Sequence, residues 1–135
     1  MSRAVVLDTN VLVSAALKPG SDLARIVERA LLRQMPLHVC PSIVDEYREV
    51  LHRPKFRNKG LPPSWFARLL QVAFHEPEPR PWPLQGPDED DLVFLALAKA
   101  SGAALVTGNQ AHYPEAIRDG VLVLSPADYL TMDMA

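Results

Sequence analysis

The sequence predicts an α/β fold in which helices cover both faces of a parallel sheet. Two observations support this fold class. Short apolar runs without polar alternation, which are typical of strands buried on both faces, recur along the chain. Segments with apolar residues at helical spacing separate these runs, and such alternation is typical of a covered parallel sheet. The 135 residues are expected to form a single domain, residues 1–135, with a core of its own.

Four short segments are predicted to be strands, and the first of them ends directly before Asp8. Their sequences are AVVL, LHVC, AALVT and VLVL, at residues 4–7, 37–40, 103–107 and 121–124. The main predicted helices cover residues 11–17, 21–34, 42–53, 64–75 and 88–102. Ser21 and Ser42 are predicted N-caps, and Gly102 is a predicted C-cap.

Composition and charge exclude several classes of protein. A net charge of −2 argues against a dominantly basic, nonspecific nucleic-acid binder, although local patches can still bind. No apolar run approaches the roughly 20 residues of a membrane span, and the first residues reach a carboxylate too soon for a signal peptide. A single cysteine, Cys40, excludes an intramolecular disulfide, so we expect a cytoplasmic protein. The proline-rich residues 76–87 are expected to form an extended connection.

Four acidic side chains are predicted to lie at one edge of the sheet. Ligands of open parallel sheets bind outside the carboxyl ends of the strands. Asp8 ends the first strand, and Glu46 lies about one turn into the helix after the second strand. Asp88 and Asp91 begin the helix that leads into the third strand, and their i, i+3 spacing places them on one face. The end of the third strand brings three more residues to this edge: Thr107, Gly108 and Asn109.

The apolar stripe of its helix distinguishes Glu46 from its acidic neighbours. Tyr47 and Val50 belong to that stripe and are predicted to face the core, so Glu46 lies at its edge. Asp45 and Glu49 lie further round the helix, towards solvent. Glu46 is therefore the acid of this helix that we expect in the cluster.

Such a carboxylate cluster is suited to a hard divalent cation. Converging carboxylates raise one another's pKa unless a cation is present, and oxygen ligands suit Mg²⁺ or Mn²⁺. The cluster could activate a water and stabilise a phosphodiester during in-line attack, whereas ligands at zinc spacing are absent from the sequence. A simpler interpretation also exists for each acid: Asp8 as a helix cap or loop residue, Asp88 and Asp91 as caps, and Glu46 as a solvated helix residue. The pattern alone leaves both interpretations open.

Four segments resemble the motifs of PIN domains. VVLDTNVLVSAAL is similar to the opening motif of the family, especially in a bacterial, VapC-like branch described as toxin components of toxin–antitoxin pairs. PSIVDEYREVLHRPKF resembles the second motif of that branch, DEDDLVFLALAKASGAALVTGNQAHYP the third, and VLVLSPADYL the closing segment. The resemblance covers nearly the whole chain, with the motifs in the right order.

The resemblance implies a three-layer α/β/α sandwich with a central parallel sheet and Mg²⁺- or Mn²⁺-dependent cleavage of RNA. Asp8 matches the first metal-binding acid of the family, Glu46 the second and Asp91 the third. Asp88 matches a further acid of the third motif. These four are therefore the expected catalytic and metal-binding residues.

Three polar residues are expected to support the acids. Asn10 matches the residue two places after the first acid, which it is expected to orient through a hydrogen bond. Thr107 matches a threonine that supports the acids or contacts a phosphate. Asn109 departs from the family pattern, because many PIN domains carry an aspartate at this position. We therefore expect one tightly held ion rather than two.

The resemblance also implies an RNA substrate, a cognate antitoxin protein and a homodimer.

The loop RPKFRNKG has one aromatic residue among four basic ones, a pattern that can bind single-stranded RNA through phosphate contacts and base stacking. The residues expected to contact substrate are Arg53, Lys55, Arg57 and Lys59, with Phe56 between them. A solvated connection between helices is the alternative. His112 could contact a phosphate or be a surface loop residue.

Three functions are compatible with these residues. The first is a metal-dependent endoribonuclease that acts as the toxin of a type II toxin–antitoxin pair. The second is a weak or degenerate PIN module that binds RNA or a protein partner, which Asn109 favours. The third is a phosphatase of the haloacid-dehalogenase type, which also places an aspartate after its first strand. That chemistry expects a second acid where this chain has Asn10.

Overall fold

Five short parallel strands form the centre of the computed structural model, which describes residues 3–134. They are β1 (Val5–Leu7), β2 (His38–Val39), β3 (Phe74–His75), β4 (Ala104–Val106) and β5 (Val123–Leu124). Strand β1 pairs with β4 and β4 with β5, while β2 pairs with β3. A parallel bridge between Val5 and Leu37 joins the two groups, which gives the order β3-β2-β1-β4-β5. Strand β1 is therefore central.

Seven α-helices connect and cover these strands in the described part of the chain. They are α1 (Thr9–Leu17), α2 (Asp22–Leu31), α3 (Pro41–Leu51), α4 (Phe66–Val72), α5 (Leu92–Ser101), α6 (Glu115–Arg118) and α7 (Pro126–Met134). Short 3₁₀ helices lie at Pro54–Lys59, Glu89–Asp91 and Gln110–His112. The predicted three-layer α/β/α sandwich around a parallel sheet is confirmed. The longest helix has 11 residues, so no helix within residues 3–134 could cross a membrane.

Strands β1 and β4 are buried along their whole length, which explains why their sequences lack polar alternation. Helix α5 packs against β1, β2 and β4, and its residues 94–98 are all buried. A helix that is apolar on every side lies within the core rather than at the surface. The residues at the ends of β1 and β4 and at the start of α5 are therefore held by the most deeply packed part of the molecule.

The region of residues 64–75 differs from the prediction of a single helix. Helix α4 covers only part of it, and Phe74 and His75 form the edge strand β3. The Phe74 N–H donates to Leu37 O at 2.7 Å, and the Glu76 N–H donates to Val39 O at 2.8 Å. Pairing with β2 therefore outweighs the local helical pattern, as is common for short strands whose stability depends on tertiary context.

Two of the three predicted helix caps are confirmed. Ser21 accepts a backbone N–H of α2 at 3.2 Å, and Gly102 ends α5 with φ of 68°. The prediction for Ser42 is wrong, because Pro41 takes the first position of α3 and Ser42 lies inside the helix. Both the N–H and the hydroxyl of Ser42 donate to Glu78, at 3.0 and 2.5 Å. This contact fastens the extended, proline-rich residues 76–87 to the N-terminus of α3.

Candidate active site

Asp8 lies at the carboxyl end of the central strand β1 and is only 4% exposed. It takes the N-cap position of α1, but its side chain makes no cap hydrogen bond. The interpretation of Asp8 as a helix cap therefore does not account for its carboxylate. A carboxylate this deeply buried needs hydrogen-bond donors or a cation.

Two hydroxyl groups donate to the same oxygen of Asp8. Thr107 Oγ1 lies 2.9 Å from Asp8 Oδ2, and the hydroxyl of Tyr113 lies 2.9 Å from the same atom. The pairing of Leu7 with Val106 brings Asp8 beside Thr107 at the end of β4. Burial, followed by the charge of Asp8, raises the pKa of Tyr113 far above its usual range, so this hydroxyl remains a donor.

Asn10 supports the site through the end of β4. Its Oδ1 accepts the Gly108 N–H at 3.1 Å, and its Nδ2 lies 3.5 Å from Thr107 Oγ1. The Asn109 N–H donates to the same Thr107 hydroxyl at 3.0 Å. These bonds tie the start of α1 to the segment after β4. The described contacts of the Asn10 side chain therefore reach Asp8 through Thr107 rather than directly.

Glu46 points to the same edge from α3. It is half-buried, whereas its acidic neighbours Asp45 and Glu49 are exposed. The hydroxyl of Thr9, the residue after Asp8, donates a short hydrogen bond to Glu46 Oε2. Burial raises the pKa of Glu46 and the bond from Thr9 lowers it, while the charges of three aspartates raise it further: Asp8, Asp90 and Asp88. Glu46 therefore lies within the electrostatic reach of Asp8.

Asp91 ends the 3₁₀ turn before α5 and contributes a buried oxygen. Its Oδ2 accepts no hydrogen bond of regular geometry, although His112 Nδ1 lies 2.9 Å away as an ion-pair partner. Burial and then the charges of Asp8 and Asp88 raise the pKa of Asp91 to about 6, against a smaller opposing effect of His112. Asp91 and Asp8 therefore repel each other across the site.

Asp88 is placed differently from the other three predicted acids. It is exposed, and its side chain accepts the Asp90 N–H at 2.9 Å at the start of the 3₁₀ turn. The simpler interpretation as a cap therefore applies to Asp88. Its charge nevertheless raises the pKa of both Glu46 and Asp91, so it lies at the rim of the same cluster.

The chemistry of this cluster fits a hard divalent cation. Within residues 3–134, no three acidic, histidine or cysteine side chains are close enough to enclose a metal ion as they stand. Mg²⁺, however, keeps several waters and is commonly held by only one or two carboxylates. The buried Oδ2 of Asp91, which lacks a regular donor, and the mutual repulsion of Asp8 and Asp91 both favour a cation between them.

The basic segment after α3 is exposed except for its aromatic residue. Arg53 pairs with Glu49 at 2.9 Å, and Lys55, Arg57 and Lys59 are exposed on the 3₁₀ helix Pro54–Lys59. Phe56 is only 9% exposed and belongs to the core, so the expectation that it stacks on RNA bases is wrong. Its face is covered by Lys55 Nζ, 5.1 Å from the ring centre. The segment can therefore offer charges to phosphates but no stacking platform.

Sequence reasoning missed several residues that contact the acids. Thr9 follows Asp8 directly, yet no periodicity distinguishes a hydroxyl that reaches another helix. Asp90 affects the pKa of Glu46 but was not singled out from the acidic run. Tyr113 follows the 3₁₀ helix Gln110–His112, where sequence spacing gives no direction for a side chain. The sequence indicates His112 as a phosphate contact or a surface residue, but not its contact with Asp91. The two strand ends were the usable signal, and these residues do not belong to either strand.

Comparison with known proteins gives one family and several similar folds. The model of the PIN domain family matches residues 4–111. One similar structure is that of VapBC2 from Rickettsia felis bound to a DNA fragment from the VapBC2 promoter. Its TM-score is 0.61 and its sequence identity is 16%, over 90% of this chain and 98% of that chain. FitAcB from Neisseria gonorrhoeae is similar with a TM-score of 0.57 and 20% identity, over 91% and 98% of the two chains. FitAB bound to an IR36 DNA fragment has a TM-score of 0.58 and 18% identity, over 90% and 94%.

At these identities, the solved structures establish a shared fold and no more. No curated protein matches the sequence.

Proposed function

This chain belongs to the PIN domain family, and we propose that it is a Mg²⁺- or Mn²⁺-dependent endoribonuclease. PIN domains are generally nucleases. The observation that best supports the proposal is the pair formed by Asp8 and Asp91. Asp8 is buried at the end of the central strand, and it raises the pKa of a second acid whose Oδ2 lacks a regular hydrogen-bond donor. A cation between the two acids would stabilise the pair in its ionised form.

The proposed mechanism assigns a separate task to each acid. Asp8 and Asp91 would hold the ion, and Asp88 at the rim would bind its water shell. When bound, the ion would supply a water of lowered pKa and positive charge for the phosphodiester. The bond from Thr9 occupies Oε2 of Glu46, so Oε1 is free to accept a proton from the attacking water. The amide of Asn109 adds no charge, which favours one tightly held ion.

The basic segment supports RNA as the substrate. Lys55, Arg57 and Lys59 are exposed. The pKa of Arg53 is raised mainly by its bond to Glu49 and to a smaller extent by the charge of Glu46. Phosphate contacts of this kind position a strand without reading its sequence. We propose that these four residues guide the RNA backbone towards the acids.

A partner protein belongs to the same proposal. The sequence resembles toxin components, and the fold is shared with VapBC2 and FitAB. We therefore propose that the chain acts as the toxin of a type II pair in the cytoplasm, as a homodimer that a cognate antitoxin inhibits.

A weak or degenerate module that binds RNA or protein is the second candidate, because Asn109 stands where many family members have an aspartate. The family argues against the phosphatase alternative, and so does the amide of Asn10, which is bonded to Gly108 where that chemistry expects a second acid.

Metal dependence and substrate class can be tested together. The purified protein is stripped with a chelator and incubated with labelled single-stranded RNA, structured RNA and single-stranded DNA of the same sequence. We expect RNA cleavage after Mg²⁺ or Mn²⁺ is restored and none with the chelator. RNA binding without cleavage at millimolar Mn²⁺ would favour the degenerate module, and cleavage that survives chelation would contradict the proposed mechanism.

A further inference from the structure

We propose that Tyr113 is a positioning residue for the metal ion, because its hydroxyl and that of Thr107 together saturate one oxygen of Asp8 and reserve the other for the ion. This inference rests on the proposed function, since it assumes that Asp8 binds a divalent cation. It adds a residue that is not one of the four predicted acids. It also specifies how Asp8 binds, through Oδ1 alone.

The hydrogen bonds that the described residues donate to the Asp8 side chain reach only one of its two oxygens. Both hydroxyl donors lie 2.9 Å from Oδ2, and no hydrogen bond from residues 3–134 reaches Oδ1. An ionised carboxylate accepts through both oxygens, with about four lone-pair sites in all. Two of these sites are filled on Oδ2, so the remaining capacity of this buried side chain lies mainly on Oδ1. Ligation by both oxygens at once would require a hydroxyl to leave.

The position of Tyr113 is itself fixed by its surroundings. The residue is fully buried, its N–H donates to Gln110 O at 3.0 Å, and its carbonyl accepts the Arg118 Nε–H at 2.7 Å. Phenylalanine would fill the same space in the core. The hydroxyl therefore adds one interaction to this packing, the bond to Asp8.

This arrangement gives a substitution with a matched control. Tyr113→Phe removes the hydroxyl beside Asp8 and keeps the ring. Tyr129→Phe removes the hydroxyl of another fully buried tyrosine, which donates to Arg3 O at 3.0 Å, away from the acids. Both variants lose a buried hydroxyl, so a general effect of that loss appears in both.

The test is a calorimetric titration of metal-free protein with Mn²⁺, alongside RNA cleavage rates and Tm with and without Mn²⁺. Groups that orient a metal ligand typically contribute about 10-fold or more to metal affinity, so we expect Tyr113→Phe to raise the Kd for Mn²⁺ about 10-fold and to reduce the Mn²⁺-induced rise in Tm. Tyr129→Phe should leave the Kd and the cleavage rate at wild-type values.

The outcomes separate this inference from the proposed function. If the wild-type protein binds Mn²⁺ and cleaves RNA, and Tyr113→Phe has an unchanged Kd, the positioning role is overturned while the proposed function stands. If Tyr113→Phe has a lower Tm but an unchanged affinity for Mn²⁺, the role of Tyr113 is purely structural, and the positioning role is again overturned. If the wild-type protein neither binds Mn²⁺ nor cleaves RNA, both proposals are contradicted.

Discussion

The imidazole Nδ1 of His112 lies 2.9 Å from Oδ2 of Asp91, while the hydroxyl of the next residue, Tyr113, donates to Asp8. Two consecutive residues after β4 therefore contact the two acids proposed to bind the ion. The surface-loop interpretation of His112 does not account for this contact. The segment that follows the central pair of strands is thus as much a part of the site as the strand ends themselves.

The raised pKa of Asp91 predicts how the stability of the metal-free protein depends on pH. Its pKa rises from an ordinary 3.8 to about 6, first through burial and then through Asp8 and Asp88. Between these values the folded protein binds a proton that the unfolded chain has released, so this group lowers the free energy of unfolding as pH rises through that window. Above it, Asp91→Asn should stabilise the metal-free protein by about 1 kcal/mol, a value limited by solvent screening.

Chemical denaturation with a chelator present, at about pH 5 and about pH 8, measures this effect. The gain from Asp91→Asn should be larger at the higher pH, and exposed Asp45→Asn should show little change between the two. Added Mn²⁺ should stabilise the wild-type protein more than Asp91→Asn. A loss of stability in metal-free Asp91→Asn at the higher pH would show that Asp91 is a favourable structural charge instead.

Glu46 and Asp45 are adjacent acids with different expected effects on catalysis. Glu46 is half-buried and bonded to Thr9, whereas Asp45 is exposed. If Glu46 accepts the proton of the attacking water, Glu46→Gln should lower kcat by about 100-fold or more, since general base catalysis contributes factors of that order. Asp45→Asn should leave kcat unchanged. Single-turnover cleavage rates at saturating Mn²⁺ test this, and equal rates for the two variants would remove Glu46 from the mechanism.

The basic segment is expected to affect RNA binding without affecting sequence preference. Each phosphate contact contributes about 0.7 to the salt dependence of binding to a single strand, so replacing Lys55, Arg57 and Lys59 with Gln should lower both the affinity and the salt slope. Affinities for several unrelated RNA sequences should fall by similar factors. An unchanged salt slope in the triple variant would mean that the segment is only a solvated connection.

Phe56→Ala, in contrast, should destabilise the fold by about 3–5 kcal/mol, because the ring is in the core.

The sequence was most informative where burial and strand direction constrain it. The apolar runs of β1 and β4 predicted two buried parallel strands, and strand direction then predicted that Asp8 and Thr107 meet at one edge. The burial of Glu46 relative to its exposed neighbours followed from the apolar stripe of α3. In these cases strand direction or the apolar stripe of a helix determined where the side chain lies.

Contacts between distant, irregular segments could not be predicted in this way. Strand β3 has two residues and forms because it pairs with β2 through backbone hydrogen bonds. Ser42 lost its expected capping role to Pro41 and a carboxylate 36 residues further along the chain. The bond from Tyr113 to Asp8 spans 105 residues and begins in a segment without periodicity. Tertiary packing alone determines these contacts.

The most direct test of the central claim is the rate of metal-dependent RNA cleavage by Asp8→Asn compared with the wild-type protein. Asparagine has nearly the same size as aspartate and can still accept the two hydroxyl bonds, so circular dichroism and Tm should show a folded variant. We expect the folded Asp8→Asn protein to cleave RNA no faster than the protein-free control, even at millimolar Mn²⁺. Cleavage by folded Asp8→Asn at the wild-type rate would contradict a ribonuclease centre built around Asp8.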